Sequence, residues 1–141
     1  MTTAASDLRV GNLMTIDPVV IGPDAQASEA ERLFKTYHVS GLPVVSGDAT
    51  VGVISQTDLV VARSSGMISG NWERVLVRHL MTTPAVTVHT GTTLARAAQL
   101  MVTRHIHRLI VVDDEDAPIG VVSSLDLLRV LFNDSDIGPD D

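Results

Sequence analysis

The stretch "VGVISQTDLV" at residues 51–60 returns as "IGVVSSLDLL" at residues 119–128. Both stretches begin with strand formers around a glycine, continue with a serine, and place an aspartate three residues after that serine. A short, almost uninterrupted apolar run predicts a strand buried on both faces, and the polar residues after it predict the start of a helix. The chain therefore contains the same strand-to-helix junction twice.

The repetition extends over most of the chain. "NLMTIDPVV" recurs as "HLMTTPAVTV", and 67 positions separate Met14 from Met81. Asp58 and Asp126 are 68 positions apart, so one residue is inserted in a loop of the second copy. Matched anchors in the same order at a nearly constant offset indicate an internal duplication, in which each copy relies on its neighbour to bury its apolar face.

Each copy has the predicted element order β-α-β-β-α, preceded by a short helix around "LMT", so the fold class is α/β. "PVVI" (18–21) and "AVTV" predict short strands. Asp24 is the predicted cap of the first amphipathic helix, and Thr92 or Thr93 that of its counterpart. The last helix of each copy is expected to begin at Gln56 and Ser124, respectively. The predicted buried faces of the amphipathic helices are Ala27, Ala30, Leu33, Phe34 and Tyr37, and Leu94, Ala97, Ala98 and Met101.

These patterns divide the chain into two motifs and two connecting or terminal segments. The first motif is predicted at 7–62 and the second at 74–134. A polar, Gly- and Ser-containing linker, 63–73, joins them. The acidic tail, 135–141, is expected to fray.

Composition excludes several functional classes. The chain has 10 Lys and Arg against 17 Asp and Glu, a formal net charge of −7, which argues against nucleic acid as a partner. It has no cysteine, so disulfides and thiolate chemistry are excluded. No apolar run is long enough to span a membrane, and the N-terminal residues lack the pattern of a signal peptide. We therefore expect a cytoplasmic protein with no membrane partner.

Four sequence elements, taken together, resemble the CBS motif: "LMT" with a short strand, the Ala-rich helix, "SGLPVV" or "HRLIVV", and "GVISQTD" or "GVVSSLD". The resemblance covers nearly all of residues 7–134, and the chain as a whole resembles a stand-alone CBS pair, or Bateman module. It implies two motifs related by a pseudo-two-fold axis and a disc-like homodimer. It also implies a regulatory module that senses an adenosine-containing ligand in the cleft between the motifs and transmits occupancy to a protein partner.

The repeated Ser-x-x-Asp residues are the first candidate ligand contacts. An ionised Asp58 or Asp126 can accept hydrogen bonds from the vicinal hydroxyls of a ribose. Ser55 and Ser123, together with the N–H groups at the helix start, can donate to a phosphate oxygen. The alternative is that the same residues only cap the two helices.

The basic cluster "RHIHR" makes the two copies unequal. The resemblance places His107 and Arg108 where related proteins direct basic side chains at a phosphate, whereas Ser40 and Gly41 hold those positions in the first copy. We therefore expect AMP, ADP or ATP near Arg108 and Asp126, and weaker or neutral ligands near Asp58. Arg104 is a further candidate contact. Arg104 and His105 also suit a helix C-terminus, where cations are favoured.

No pattern for catalysis or metal binding is present: the chain lacks a Cys nucleophile, GxSxG, HExxH, a Cys/His cluster and a P-loop. We expect neither an enzyme nor a resident cofactor or metal, only a regulatory nucleotide. Two other functions remain open. The clefts can be degenerate in a module whose dimer surface is its function, or the ligand can be S-adenosylmethionine or NAD.

Overall fold

The computed structural model describes residues 7–65 and 70–134. The predicted tail and part of the predicted linker lie outside these residues. The first repeat contains β1 (Thr15–Ile16), α1 (Ala27–Tyr37), β2 (Gly41–Ser46), β3 (Ala49–Ser55) and α2 (Gln56–Ser64). The second contains α3 (Val77–Leu80), β4 (Thr87–Val88), α4 (Leu94–Arg104), β5 (Arg108–Val112), β6 (Pro118–Ser123) and α5 (Ser124–Asp134). Short 3-10 turns lie at Val10–Asn12 and Trp72–Arg74. The mixed α/β class and the tandem repeat are confirmed.

The described residues form two compact units that do not coincide with the two repeats. The first-repeat unit contains β2 and β3, and the second-repeat unit contains β5 and β6. Their ranges are 18–65, 70–85 and 115–118 for the former, and 7–17, 86–114 and 119–134 for the latter. Residues 7–17, which include β1, therefore belong to the second-repeat unit, and residues 74–85, which precede β4, belong to the first-repeat unit. We call these two stretches the leading segments.

Strand pairing is the same in both units. The second-repeat unit has the sheet order β1-β6-β5-β4, with β1 antiparallel to β6 and β4 parallel to β5. In the first-repeat unit β2 and β3 pair, and each flanking strand is reduced to one bridge. Thr82 bridges Val53 and Ile21 bridges Val44. The prediction of a strand at "PVVI" is therefore wrong, because only Ile21 pairs there.

Val10 and Val77 each hold a leading segment in the hydrophobic core of the other repeat. Both side chains are fully buried, Val10 in the core around Leu109 and Val77 in the core around Leu42. The Val10 N–H also donates to the Thr92 carbonyl oxygen at 3.0 Å. A leading segment thus completes the core of the repeat to which it does not belong in sequence.

The structure confirms one of the predicted helix caps and corrects several other local predictions. Thr93 caps α4 as predicted, since its hydroxyl accepts from the Arg96 N–H at 3.0 Å. Asp24 does not cap α1, which begins after Gln26. Tyr37 is 54% exposed and Ala98 is also exposed, so the buried faces are narrower than predicted. Strand β3 is fully buried only at alternate residues, with half-buried residues between them.

The glycine of each repeated junction lies where a leading segment crosses a strand. A methyl group on Gly52 would lie 2.7 Å from the Thr82 carbonyl oxygen, which the Val53 N–H holds at 3.0 Å. On Gly120, a methyl group would instead meet the Met14 side chain, with Cγ at 2.8 Å. The obstacle is fixed backbone in one repeat and a flexible thioether in the other.

Gly52→Ala is therefore expected to destabilise the protein more than Gly120→Ala. Overpacking against backbone should lower the free energy of unfolding by about 1–3 kcal/mol, while displacement of Met14 should cost about 1 kcal/mol or less. Urea unfolding of the two variants measures the difference. Equal losses would contradict the close backbone contact at Gly52.

Candidate functional site

The Ser-x-x-Asp residues form the same reciprocal hydrogen bonds in both repeats. Asp58 Oδ2 accepts from the Ser55 N–H at 2.8 Å, and Ser55 Oγ accepts from the Asp58 N–H at 3.1 Å. Ser123 and Asp126 repeat these contacts at 2.8 and 3.1 Å. All four residues are half-buried. Each pair is thus a capping box that satisfies otherwise unpaired N–H groups at a helix start.

The capping box uses only one oxygen of each carboxylate. Oδ1 of Asp126 lies 3.7 Å from a guanidinium nitrogen of Arg129, and the Asp126 side chain remains 20% exposed. An ionised carboxylate has about four lone-pair directions, so Asp126 retains acceptor capacity beyond the cap. A capping role and a ligand contact are therefore compatible at this residue.

The backbone brings His107 and Arg108 to the same junction. Arg108 is the first residue of β5, which neighbours β6 in the sheet. The His107 carbonyl oxygen accepts a hydrogen bond from the N–H of Ser124 at 2.8 Å. Ser124 directly follows Ser123 in the chain. The His107 side chain is exposed and Arg108 is half-buried. Four of the predicted contacts, Ser123, Asp126, His107 and Arg108, thus lie where β5 begins and β6 ends.

The equivalent junction of the first repeat has the same backbone hydrogen bond but fewer charged side chains. The Ser40 carbonyl oxygen accepts from the Gln56 N–H at 2.9 Å, and Gly41 pairs with Ser55 across β2 and β3. The first repeat thus has the Ser55–Asp58 box without a basic side chain at either matching strand position. Local geometry is duplicated, and charge is not.

Arg129 is a charged residue beside the site that the sequence analysis missed. It lies three residues after Asp126, a spacing at which helical side chains are neighbours. The signal was present in "DLLR", whereas Val61 holds the matching position after Asp58. Arg129 adds a second positive charge to the second-repeat junction.

Arg104 lies at the end of a helix. It is the exposed last residue of α4, a position at which the helix dipole favours a cation. His105 follows as the helix C-cap with a left-handed φ of 56°, and His38 ends α1 with a φ of 55°. Each histidine thus ends a helix, which is a structural role.

A groove lies elsewhere, between α1 and α2 of the first-repeat unit. Its volume is about 290 Å³, and it is lined by Glu31, Phe34, Lys35, Gln56, Leu59, Val60 and Arg63. None of the seven predicted ligand contacts lines it. In residues 7–65 and 70–134, no group of three or more His, Asp or Glu side chains is arranged to hold a metal ion. Over the same ranges, every helix is too short or too polar to cross a bilayer.

Comparison with known proteins identifies the repeats. The CBS domain family model matches residues 10–65 and 77–133. These two ranges cover most of the chain and correspond to the two repeats seen in the sequence.

Solved structures share this fold. CBSX2, a CBS-pair protein of Arabidopsis thaliana, in complex with AMP, is 30% identical, with a TM-score of 0.76 over 89% of this chain and 97% of its own. The CBS domain pair of protein MJ0100, in complex with 5-methylthioadenosine and S-adenosyl-L-methionine, is 22% identical. Its TM-score is 0.81 over 90% of this chain and 98% of its own, a likeness that concerns the fold alone.

Curated relatives are longer than this chain. Inosine-5'-monophosphate dehydrogenase of Methanocaldococcus jannaschii is 31% identical over 114 residues, which are 80% of this chain and 21% of that enzyme. An uncharacterized protein of Methanopyrus kandleri is 30% identical over 86% of this chain and 61% of its own length. The chain thus spans less than two thirds of these relatives.

Proposed function

Since this chain belongs to the CBS domain family, we propose that it is a regulatory module that binds an adenosine-containing nucleotide at the junction of the second repeat. The observation that carries the proposal is the charge difference between two junctions of equal geometry. His107 and Arg108 lie at the start of β5, beside the end of β6 that carries the Ser123–Asp126 box, and Arg129 lies 3.7 Å from Asp126. The first repeat has Ser40, Gly41 and Val61 at the three matching positions. AMP, ADP or ATP is the ligand class proposed.

Each residue would have a distinct role. The acceptor capacity left on Asp126 suits the two hydroxyls of a ribose. Arg108 would clamp a phosphate through two parallel N–H groups. His107 would add a donor to the phosphate, more strongly when protonated, and Ser123 would help to fix the geometry of the carboxylate. The AMP complex of CBSX2 supports this ligand class.

Regulation would follow from unequal affinity for two states of the protein. A ligand shifts a conformational equilibrium only by its difference in affinity between the states. We propose that occupancy alters the contact with a protein partner and that the chain itself catalyses no reaction. Both junction serines already accept hydrogen bonds in capping boxes, an arrangement that favours positioning over nucleophilic attack. The proposed working form is a homodimer.

A second candidate function is an interaction module whose junctions bind no ligand. The capping boxes favour it, because they explain the Ser-x-x-Asp residues by helix capping alone. On this alternative, the dimer surface would be the functional feature and nucleotides would leave the stability unchanged.

Ligand-induced thermal shifts of the wild type, Asp126→Ala and Arg108→Ala test the nucleotide proposal. AMP, ADP or ATP should raise the unfolding midpoint of the wild type through mass action. Both substitutions should weaken binding about tenfold or more, the loss expected for one charge-assisted hydrogen bond. The panel includes NAD, S-adenosylmethionine and adenosine, which lacks the phosphate that Arg108 would bind.

Asp58→Ala is the matched control, because it removes the same capping box from the other repeat. It should lower the midpoint as much as Asp126→Ala, by the loss of a cap worth about 1 kcal/mol, yet keep the nucleotide shift. The absence of any shift in folded wild type would favour the interaction module. A shift with S-adenosylmethionine alone would reassign the ligand.

A further inference from the structure

Arg129 lies beside the carboxylate that is proposed to bind the ribose. It follows Asp126 by three residues on α5, and its guanidinium nitrogen Nη1 lies 3.7 Å from Asp126 Oδ1. The Arg129 side chain is 65% exposed, whereas the Asp126 side chain is 20% exposed. Arg129 thus reaches the carboxylate from the solvent side and is not held in the core.

The capping box determines which carboxylate oxygen faces Arg129. Asp126 Oδ2 accepts the hydrogen bond from the Ser123 N–H at 2.8 Å, and Oδ1 is the oxygen next to Arg129. Their separation of 3.7 Å is longer than a charge-assisted hydrogen bond, which measures about 2.7–2.9 Å. Oδ1 and Nη1 are therefore neighbours of opposite charge that retain an acceptor and a donor for a third group.

A ribose hydroxyl has the chemistry to bind between these two atoms. A hydroxyl is both a donor and an acceptor, so it can donate to Oδ1 of Asp126 and accept from an N–H of Arg129. Such hydrogen bonds are about 2.7–3.0 Å long. Because Oδ1 and Nη1 are 3.7 Å apart, one hydroxyl oxygen can lie within that distance of both atoms.

The fold does not require an arginine at this position. The first repeat begins α2 with the same Ser55–Asp58 capping box and has Val61, 48% exposed, at the matching place. An exposed ion pair between residues three apart on a helix also adds little to stability. Helix stability alone therefore gives no strong reason for Arg129.

We propose that Arg129 is a specificity-determining residue of the nucleotide site, which recognises the ribose together with Asp126 and so selects ribonucleotides over deoxyribonucleotides. The inference rests on the proposed function, because that function assigns the ribose to Asp126. Asp126 accepts from a hydroxyl and Arg129 donates to the same hydroxyl, and both contacts are lost when a hydrogen atom replaces it. The first-repeat junction, with Val61, offers only the acceptor.

Discrimination against deoxyribose is large because the groups left without a partner are charged. Asp126 has already lost most of its contact with water, and a bound nucleotide covers it further. A ligand that covers a charged donor and a charged acceptor without pairing them is rejected more strongly than one that merely lacks a contact. Each charge-assisted hydrogen bond corresponds to about tenfold or more in affinity, so the loss of two amounts to about 100-fold.

Isothermal titration of the full chain with AMP, 2′-deoxy-AMP and 3′-deoxy-AMP tests the inference. The wild type should bind AMP about 100-fold more tightly than the weaker of the two deoxynucleotides. Arg129→Met keeps an unbranched side chain and removes the donor, so the preference for AMP should fall to about tenfold, the share of Asp126 alone. Arg129→Lys keeps a cationic donor and should retain more of the preference than Arg129→Met.

Val61→Arg is the matched control, because it places a guanidinium three residues after Asp58 in the other repeat. It should leave the preference for AMP over the deoxynucleotides unchanged. The preference is a ratio of two affinities, so a general loss of stability does not alter it. An unchanged ratio in Arg129→Met overturns the inference, and so does a wild type that binds AMP and both deoxynucleotides equally.

The same titrations separate this inference from the proposed function. A wild type that binds AMP, with an unchanged ratio in Arg129→Met, would refute only the role of Arg129. A folded wild type that binds no nucleotide would refute the proposed function and the role of Arg129 with it.

Discussion

Val10→Asp is expected to unfold the second repeat, although Val10 lies at the start of the first. The side chain is fully buried in the core formed with Leu109, Val111 and Val122. An unpaired carboxylate in such a site costs several kcal/mol, a large part of the about 5–15 kcal/mol that stabilises a typical domain. Native-state hydrogen exchange should show lost protection in β5 and β6, with β2 and β3 retaining more.

Val77→Asp is the reciprocal experiment. Val77 is equally buried, but in the core with Leu42 and Ile54, so β2 and β3 should lose protection first. If either aspartate variant fails to accumulate, Val10→Ala and Val77→Ala give the same test at about 2 kcal/mol each. Loss of protection in the repeat that carries the substitution would contradict the exchange of leading segments.

Leu109→Ala and Leu42→Ala are expected to destabilise the protein by about 3 kcal/mol each. The two leucines hold equivalent positions in β5 and β2, and both are fully buried. Removing a buried leucine side chain costs about 2–5 kcal/mol, because apolar contacts are lost and a cavity remains. Urea unfolding of both variants provides the measurement.

Val61→Ala is the control for that pair, since Val61 is 48% exposed and its loss should cost less than about 1 kcal/mol. Similar losses for Leu42→Ala and Leu109→Ala would fit the duplicated core. A loss below about 1 kcal/mol at either leucine would contradict the packing described for that repeat.

The candidate site was largely predictable because its geometry is local. Ser55 and Asp58, like Ser123 and Asp126, are three residues apart at a strand-to-helix junction, so the capping box follows from spacing alone. The difference in charge between Gly41 and Arg108, at matching positions of the two repeats, was also predictable from the sequence. The joining of His107 to Ser124 required the tertiary structure, because that contact crosses between two strands.

Packing decided other features that local patterns misread. Asp24 matched a helix cap, yet it lies 2.9 Å from a guanidinium nitrogen of Arg78 instead. Tyr37 continued the apolar spacing of α1, but the helix ends at that residue and the ring stays exposed. At Asp24 the ion pair with Arg78 outweighed the preference for a helix cap. At Tyr37 the end of the helix leaves the ring outside the core.

By itself the sequence determined the duplication, the α/β class, the element order and the two capped junctions, because periodicity and spacing act over a few residues. Which sheet each leading segment joins was decided only by tertiary structure. Met14 meets Gly120 and Met81 meets Gly52, although β3 and β6 offer the same glycine to either methionine. Because the two repeats share one pattern, the sequence does not show which of the two sheets a leading segment joins. The two sheet edges are chemically equivalent, so the path of the folded chain decides between them.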